Sequence, residues 1–254
     1  MLQTQDLCVR FGGHVAVNAV SCSFAAGSLT AIVGPNGAGK TTYFNLISGQ
    51  IRATSGRVFL QGRDLSGLGV AARARAGLGR AFQLTNLFPH LSVLENVRLA
   101  VQARREGRHR RGLSFFTIWS DHAAVTTEAQ HILREVAMGE QAEAVVASLS
   151  HGDQRKLEVA LMMALDPKVY MFDEPTAGMS ADEAPVILDL IHRLKSRGEH
   201  VILLVEHKMD VVRALAERII VLHNGTLVAD GLPDAVMASA VVREAYLGSK
   251  AEAA

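Results

Sequence analysis

Six residues, Gly34-Pro35-Asn36-Gly37-Ala38-Gly39, separate an apolar run, Leu29 to Val33, from a segment of helical pattern, Lys40 to Ser48. An apolar run of this length reads as a buried strand, so the junction dictates a strand, a tight turn and a helix. With Lys40 and Thr41 the stretch satisfies GxxxxGK[ST] in the strand–loop–helix context that this motif requires. Glycines let the backbone wrap closely around phosphate and aim its N–H groups inward. The helix N-terminus adds positive potential. Lys40 then reaches the β- and γ-phosphates of a nucleoside triphosphate, and the Thr41 hydroxyl ligates Mg²⁺. A glycine-rich turn with an accidental lysine would explain neither flanking element.

Downstream of Ser150 the pattern is regular. Helices over Asp153–Leu165, Ala181–Arg197 and Met209–Ala216 alternate with strands over Val169–Phe172, Val201–Val205 and Ile219–Leu222. Pro185 falls in a first helical turn, where proline is tolerated. Asn224-Gly225 marks a tight hairpin into Leu227–Ala229, and Pro233 to Leu247 closes the chain as a helix. Strands alternating with helices imply a parallel sheet. Residues 1–30 suggest short strands and turns around Gly12-Gly13 and Gly27, and Arg57 to Leu60 suggests a further strand. From about Leu91 to Leu149 the pattern is helical, an insertion between the first and later strands. Its basic stretch, Arg104 to Arg111, reads as a solvated, mobile loop, with a contact to lipid headgroups or a partner as the alternative.

The strand Val169–Phe172 ends in Asp173-Glu174. The carboxyl end of a parallel strand is the ligand edge of such a sheet. There Asp173 can help hold Mg²⁺, and Glu174 can orient or deprotonate an attacking water. The bulk composition narrows the class further. Of 254 residues, 49% are hydrophobic and only 5% aromatic, which predicts a largely aliphatic core. A net charge of +1 gives no global field toward nucleic acid. Two cysteines, Cys8 and Cys22, lack metal-ligand spacing and point to a reduced compartment, a Cys8–Cys22 bridge being the alternative. Neither a secretory signal nor an apolar run near the ~20 residues of a membrane span is expected.

Ser150-His151-Gly152-Asp153-Gln154 at the head of a helix resembles the LSGGQ signature of ABC-type ATPases. Gln83 matches that family's Q-loop, His207 its switch histidine, Thr176 to Ser180 its D-loop, and Phe11 the aromatic that stacks on adenine. The order and spacing agree over essentially the whole chain. The resemblance implies an α/β fold: a P-loop NTPase core with a mainly parallel sheet, an N-terminal antiparallel β subdomain and an inserted α-helical subdomain at about 84–165, all within one nucleotide-binding domain, 1–254. It implies ATP and Mg²⁺ as cofactors. ATP would be held by Phe11, Gly34, Pro35, Asn36, Gly37, Ala38, Gly39, Lys40, Thr41 and Thr42. Thr41, Gln83 and Asp173 would hold the metal, and Glu174, His207 and Gln83 would act in hydrolysis. It also implies a head-to-tail dimer in which Ser150, His151, Gly152 and Asp153 cap the γ-phosphate of ATP bound by the partner. His151, Asp153 and Ser180 depart from the usual residues of their motifs.

Finer features look like one branch. These are Phe11 to Val17, Arg80-Ala81-Phe82-Gln83, Leu91 to Val97, Gln154 to Glu158, Val205 to Met209, and Ala245 to Gly248. They resemble the ATPase subunits of branched-chain amino acid importers, the group that includes urea and amide importers; the Ser150-His151-Gly152 variant leans toward the urea type. Such a subunit works with transmembrane permeases, with a second nucleotide-binding subunit (a paralogue or itself) and, indirectly, with an extracytoplasmic solute-binding protein. It is peripheral on the cytoplasmic face of the plasma membrane. Phe115, Phe116 and Trp119 are core residues or line a permease groove. The rivals are an ABC exporter ATPase for lipid or polysaccharide, a non-transport ABC ATPase, a GTP switch (which lacks its Asn-Lys-x-Asp here) and a scaffold with a dead nucleotide site.

Overall fold

Four strands carry apolar runs that are buried almost end to end. They are β3 (Ser28–Val33), β7 (Val169–Asp173), β8 (Val201–Val205) and β9 (Arg218–His223). Burial on both faces is what a parallel sheet imposes, in place of alternation. In the computed structural model, which describes residues 1–81, 87–108, 118–179, 183–240 and 242, β3 pairs in parallel with β8 and β9, and β7 with β8. With β6 (Leu78–Ala81) and β10 (Thr226–Gly231) the sheet runs β10-β9-β3-β8-β7-β6. β10 is antiparallel to β9. The turn between them has Asn224 at φ 47° and Gly225 at φ 75°, the two positive φ values of a type I′ hairpin that Asn-Gly favours.

The chain divides into two compact units. The first holds Met1–Arg80, Lys168–Glu174 and Leu194–Ala254. It contains this sheet and an antiparallel one, in the order β2-β1-β4-β5, from β1 (Leu2–Phe11), β2 (His14–Phe24), β4 (Ser55–Leu60) and β5 (Arg63–Asp64). The short strands expected over residues 1–30 are in fact long, 10 residues in β1 and 11 in β2. Register shifts between Thr4 and Arg10, with Asp6 at φ 44° and Ala19 at φ 50°, break the apolar–polar alternation without ending the ladder. The core is chiefly Leu, Val and Ile, yet its bulkiest fully buried side chains are Tyr43, Tyr170, Phe24, Phe44 and Phe172. Cys8 and Cys22 are both free thiols.

Helix α1 (Lys40–Ser48) and α2 (Val70–Ala76) are joined by a buried cation. Arg73 is 3% exposed. It donates to Leu46 O at 2.6 Å and Ile47 O at 2.7 Å, carbonyls at the end of α1, and to Leu68 O at 2.9 Å and Ser66 O at 3.2 Å. A cation at a helix C-terminus satisfies orphan carbonyls and the helix dipole together. Burial lowers its pKa, against the pull of Asp64. Arg73→Met should destabilise the protein by about 3 kcal/mol, because it strands those carbonyls. A fall in Tm of roughly 6–12 °C is expected for a chain of this size; a thermal melt within a degree of wild type would refute the capping role.

The second unit holds Ala81–Pro167 and Pro175–Arg193. In it α3 (Val93–Arg108), α4 (Ile118–Glu135) and α5 (His151–Leu165) pack on one another. Val93, Val97 and Val101 recur every fourth residue on the buried stripe of α3, and Val125, Ala129, Ile132 and Leu133 form that of α4. Ser92 and Glu95 form a reciprocal capping box at the start of α3, with N–H bonds of 3.1 and 3.0 Å. The basic stretch departs from expectation. Arg104 to Arg108 are the last residues of α3, and Arg104 and Arg105 both bond Glu128 of α4, Arg105 at 2.8 Å. A counter-charge on the neighbouring helix therefore continues the helix where charge alone suggested a loop. His109 to Arg111 and Phe115-Phe116 lie outside the described residues. The helix expected over Ala181–Arg197 is α6 (Ala184–Ser196) and that over Met209–Ala216 is α7 (Met209–Leu215), whereas the helix expected from Pro233 to Leu247 is α8 (Pro233–Ala238), which ends early because Ser239 takes extended backbone at ψ 132°.

Candidate functional site

The glycine loop leaves β3 at Gly34, whose φ is 151°. A Cβ there would lie 2.1 Å from Leu222 O, so the site admits only glycine. Gly39, at φ 95°, would bring a Cβ within 2.5 Å of Ala16 O. The loop is also bonded from outside: Ala38 O accepts the Gly225 N–H at 3.1 Å, and Gly225 O accepts the Asn18 N–H at 2.8 Å. α1 begins at Lys40 with no side-chain cap and no acidic residue in its first turn. Its first N–H groups thus lack a side-chain acceptor, the arrangement that binds anions.

Lys40 is 6% exposed, and its Nζ donates to Gly34 O at 2.7 Å and Pro35 O at 2.8 Å. Burial lowers its pKa, while Glu174 and Asp173 act in the opposite sense. These two carboxylates therefore share an electrostatic environment with the lysine, although more than 130 residues separate them in the chain. Thr41 and Thr42 follow on α1, half-buried, and Phe11 stands 51% exposed at the end of β1.

Asp173 ends β7 and is buried; burial raises its pKa, opposed by Arg80. Arg80 Nη2 bonds Asp173 Oδ2 at 2.8 Å. Glu174 follows at φ 50°, its N–H bonded to Val205 O at 2.9 Å. That left-handed turn brings its carboxylate out of the sheet, 2.6 Å from His207 Nε2. His207 in turn donates its backbone N–H to the buried Glu206 side chain at 2.7 Å. A half-exposed carboxylate bonded to an imidazole can pass a proton.

The signature-like stretch belongs to the second unit. Ser150 caps α5: its Oγ accepts the Asp153 N–H at 3.1 Å and donates to Asp153 Oδ2 at 2.9 Å. Burial opposes the charge of Asp153, but bonds from Lys156, Ser150 and Gln141 outweigh it and hold the carboxyl below its usual range. His151 is exposed. At Gly152 a Cβ would lie 2.0 Å from Glu183 Oε1, so a side chain there would have to displace that carboxylate.

Phe11, Gly34 to Thr42, Asp173, Glu174 and His207 thus all lie in the first unit, and Ser150 to Asp153 in the second. Gln83 and Ser180 lie outside the described residues. Sequence reasoning did not single out Arg80, Glu206 or Glu183. Arg80 sits in a quoted motif, but its partner Asp173 is 93 residues away, and no local pattern announces the pair.

Residues 17–177 match the protein family described as ABC transporter. Over 249 residues the chain is 36% identical to the high-affinity branched-chain amino acid transport ATP-binding protein LivG of Salmonella typhimurium, covering 98% of each. It is 35% identical to the protein BraF of Pseudomonas aeruginosa, described in the same terms, again over 98% of each. Among solved structures, the ADP conformation of an ATP-binding cassette of an ABC transporter superposes with a TM-score of 0.79 at 28% identity, covering 98% of both chains.

Proposed function

This chain belongs to the ABC transporter family, and we propose that it is the ATP-binding and ATP-hydrolysing subunit of a branched-chain amino acid importer. One observation carries this reading. A chain similar from end to end to the branched-chain amino acid transport ATP-binding proteins has Lys40, Asp173, Glu174 and His207 together in one compact unit.

In this reading residues 1–254 are one nucleotide-binding domain whose helical subdomain spans about 84–165. The loop amides and Lys40 hold the phosphates, and Phe11 offers its exposed ring to adenine. Among the described residues no three His, Cys, Asp or Glu side chains converge on a metal site. One carboxylate and one hydroxyl fit Mg²⁺, which keeps several waters and takes its remaining ligands from phosphate. Thr41, Asp173 and Gln83 would hold the ion, which when bound neutralises phosphate charge. Glu174 takes a proton from the attacking water, and His207 orients that carboxylate. Ser150, His151, Gly152 and Asp153 close over ATP held by the second subunit, using the start of α5. ATP then joins the subunits, and its hydrolysis separates them.

No helix among the described residues is long and apolar enough to cross a membrane. The subunit is held on the cytoplasmic face by its permeases, and an extracytoplasmic binding protein delivers the solute. Capture of the tagged chain from native membranes in mild detergent should bring down two polytopic permeases and a second ATPase, and deleting the gene should abolish leucine uptake. Ribosomal, DNA-repair or lipid-export partners would overturn the transport assignment and leave the ATPase chemistry standing.

A further inference from the structure

Arg80 ends the first unit's share of β6 with a buried guanidinium whose two Nη atoms both meet acceptors. Its side chain is 8% exposed and that of Asp173 5%. Nη2 bonds Asp173 Oδ2 at 2.8 Å. Nη1 faces three acceptors in and just beyond α1: Asn45 Oδ1 at 2.5 Å, Gln50 Oε1 at 2.9 Å and Ser48 Oγ at 3.1 Å. The guanidinium carbon also lies 5.5 Å from the centre of the Phe44 ring, a cation–π contact from the same helix. The planar fork thus ties the end of β7 to the helix that carries Lys40 and Thr41. Burial lowers the pKa of Arg80 and the bond to Asp173 acts against it, but arginine stays charged throughout the accessible range.

The contact divides the two oxygens of Asp173. Oδ2 is taken by Arg80, and among the described residues no hydrogen bond to Oδ1 is made. A carboxylate that ligates a metal is itself oriented by hydrogen bonds from behind, and the metal affinity depends on them. We propose that Arg80 is a positioning residue of the metal site: it clamps Asp173 Oδ2 to α1 and so presents Oδ1 to Mg²⁺ or to one of its waters. The inference rests on the assignment of Asp173 to the metal given above. Lysine cannot serve in its place, because a single ammonium does not span Asp173 and the three acceptors of the α1 segment.

The test is Mn²⁺ binding to the full chain in the presence of ADP, followed by electron paramagnetic resonance, beside ADP binding in EDTA. Arg80→Lys should weaken Mn²⁺ binding by about ten- to a hundredfold, while metal-free ADP affinity stays at the wild-type value. Gln50→Ala, which loosens the clamp from its more exposed side, should weaken Mn²⁺ binding less, in the same direction. If Arg80→Lys fails to fold, Gln50→Ala decides: weaker Mn²⁺ binding supports the clamp and unchanged binding overturns it. Mn²⁺ affinity in Arg80→Lys equal to or tighter than wild type would overturn the role of Arg80 alone. Asp173→Asn binding Mn²⁺ as wild type does would instead remove Asp173 from the metal site, and the proposal with it.

Discussion

Replacing Glu174 by glutamine should reduce ATP turnover by about 10²–10⁴-fold, the contribution of a well-placed general base, and leave ATP binding intact. Glutamine keeps the length and a hydrogen-bonding oxygen toward His207 Nε2, now 2.6 Å from the carboxylate, but it does not accept the proton of water. The backbone is already committed by the Glu174 N–H bond to Val205 O at 2.9 Å and by φ 50°, and neither depends on the carboxylate. In the function proposed above, nucleotide is held elsewhere, by the glycine loop and Lys40. The variant should therefore bind ATP with wild-type affinity in equilibrium dialysis and accumulate as an ATP-bound dimer in size-exclusion chromatography. Turnover equal to wild type would remove Glu174 from the chemistry.

Gly34→Ala should damage the loop more than any other single methyl group. The new Cβ would stand 2.1 Å from Leu222 O and 3.1 Å from the Ala38 Cβ. Leu222 cannot retreat, because β9 is paired with β3 on one side and β10 on the other. The loop must move instead, and Lys40 Nζ then loses its 2.7 Å bond to Gly34 O. Strain at a glycine-only position plus displaced packing costs on the order of 3 kcal/mol, which corresponds to a fall in Tm of roughly 6–12 °C and a large loss of nucleotide affinity. Gly62→Ala is the control. It shares a positive φ, 80°, but a Cβ there meets nothing within 4 Å, so only the conformational cost of about 1 kcal/mol applies. Equal melting temperatures in the two variants would show that the contact with Leu222 is not what makes residue 34 glycine.

Much of the fold was legible because it is written in neighbouring residues. The runs at Leu29–Val33, Val169–Phe172 and Val201–Val205 announce buried strands through their own side chains. Lys40–Ser48 is helical over the residues its pattern suggested. Asn224-Gly225 specifies its turn through the φ values the pair tolerates. The glycine loop, Gly34 to Gly39, was legible as a motif for the same reason: a segment that wraps a phosphate must be contiguous. The long strands β1 and β2 were harder to read, since a bulge shifts the inward face by one residue and erases the alternation that marks a strand. Arg104–Arg105 read as a loop because charge density gives no sign of Glu128 on the next helix.

By itself the sequence determined the elements whose cause is local: which segments must be buried, where the backbone must take a positive φ, and where a helix N-terminus can meet an anion. Tertiary structure alone decided which distant groups hold those elements in working positions. Arg73 closes the end of α1, Arg80 grips Asp173 from 93 residues away, and Glu183 packs against Gly152. The physical reason is one of range. Backbone preference and hydrophobic period act within a turn or a strand, whereas a buried charge acquires its role only when the fold supplies its partner and removes the water between them.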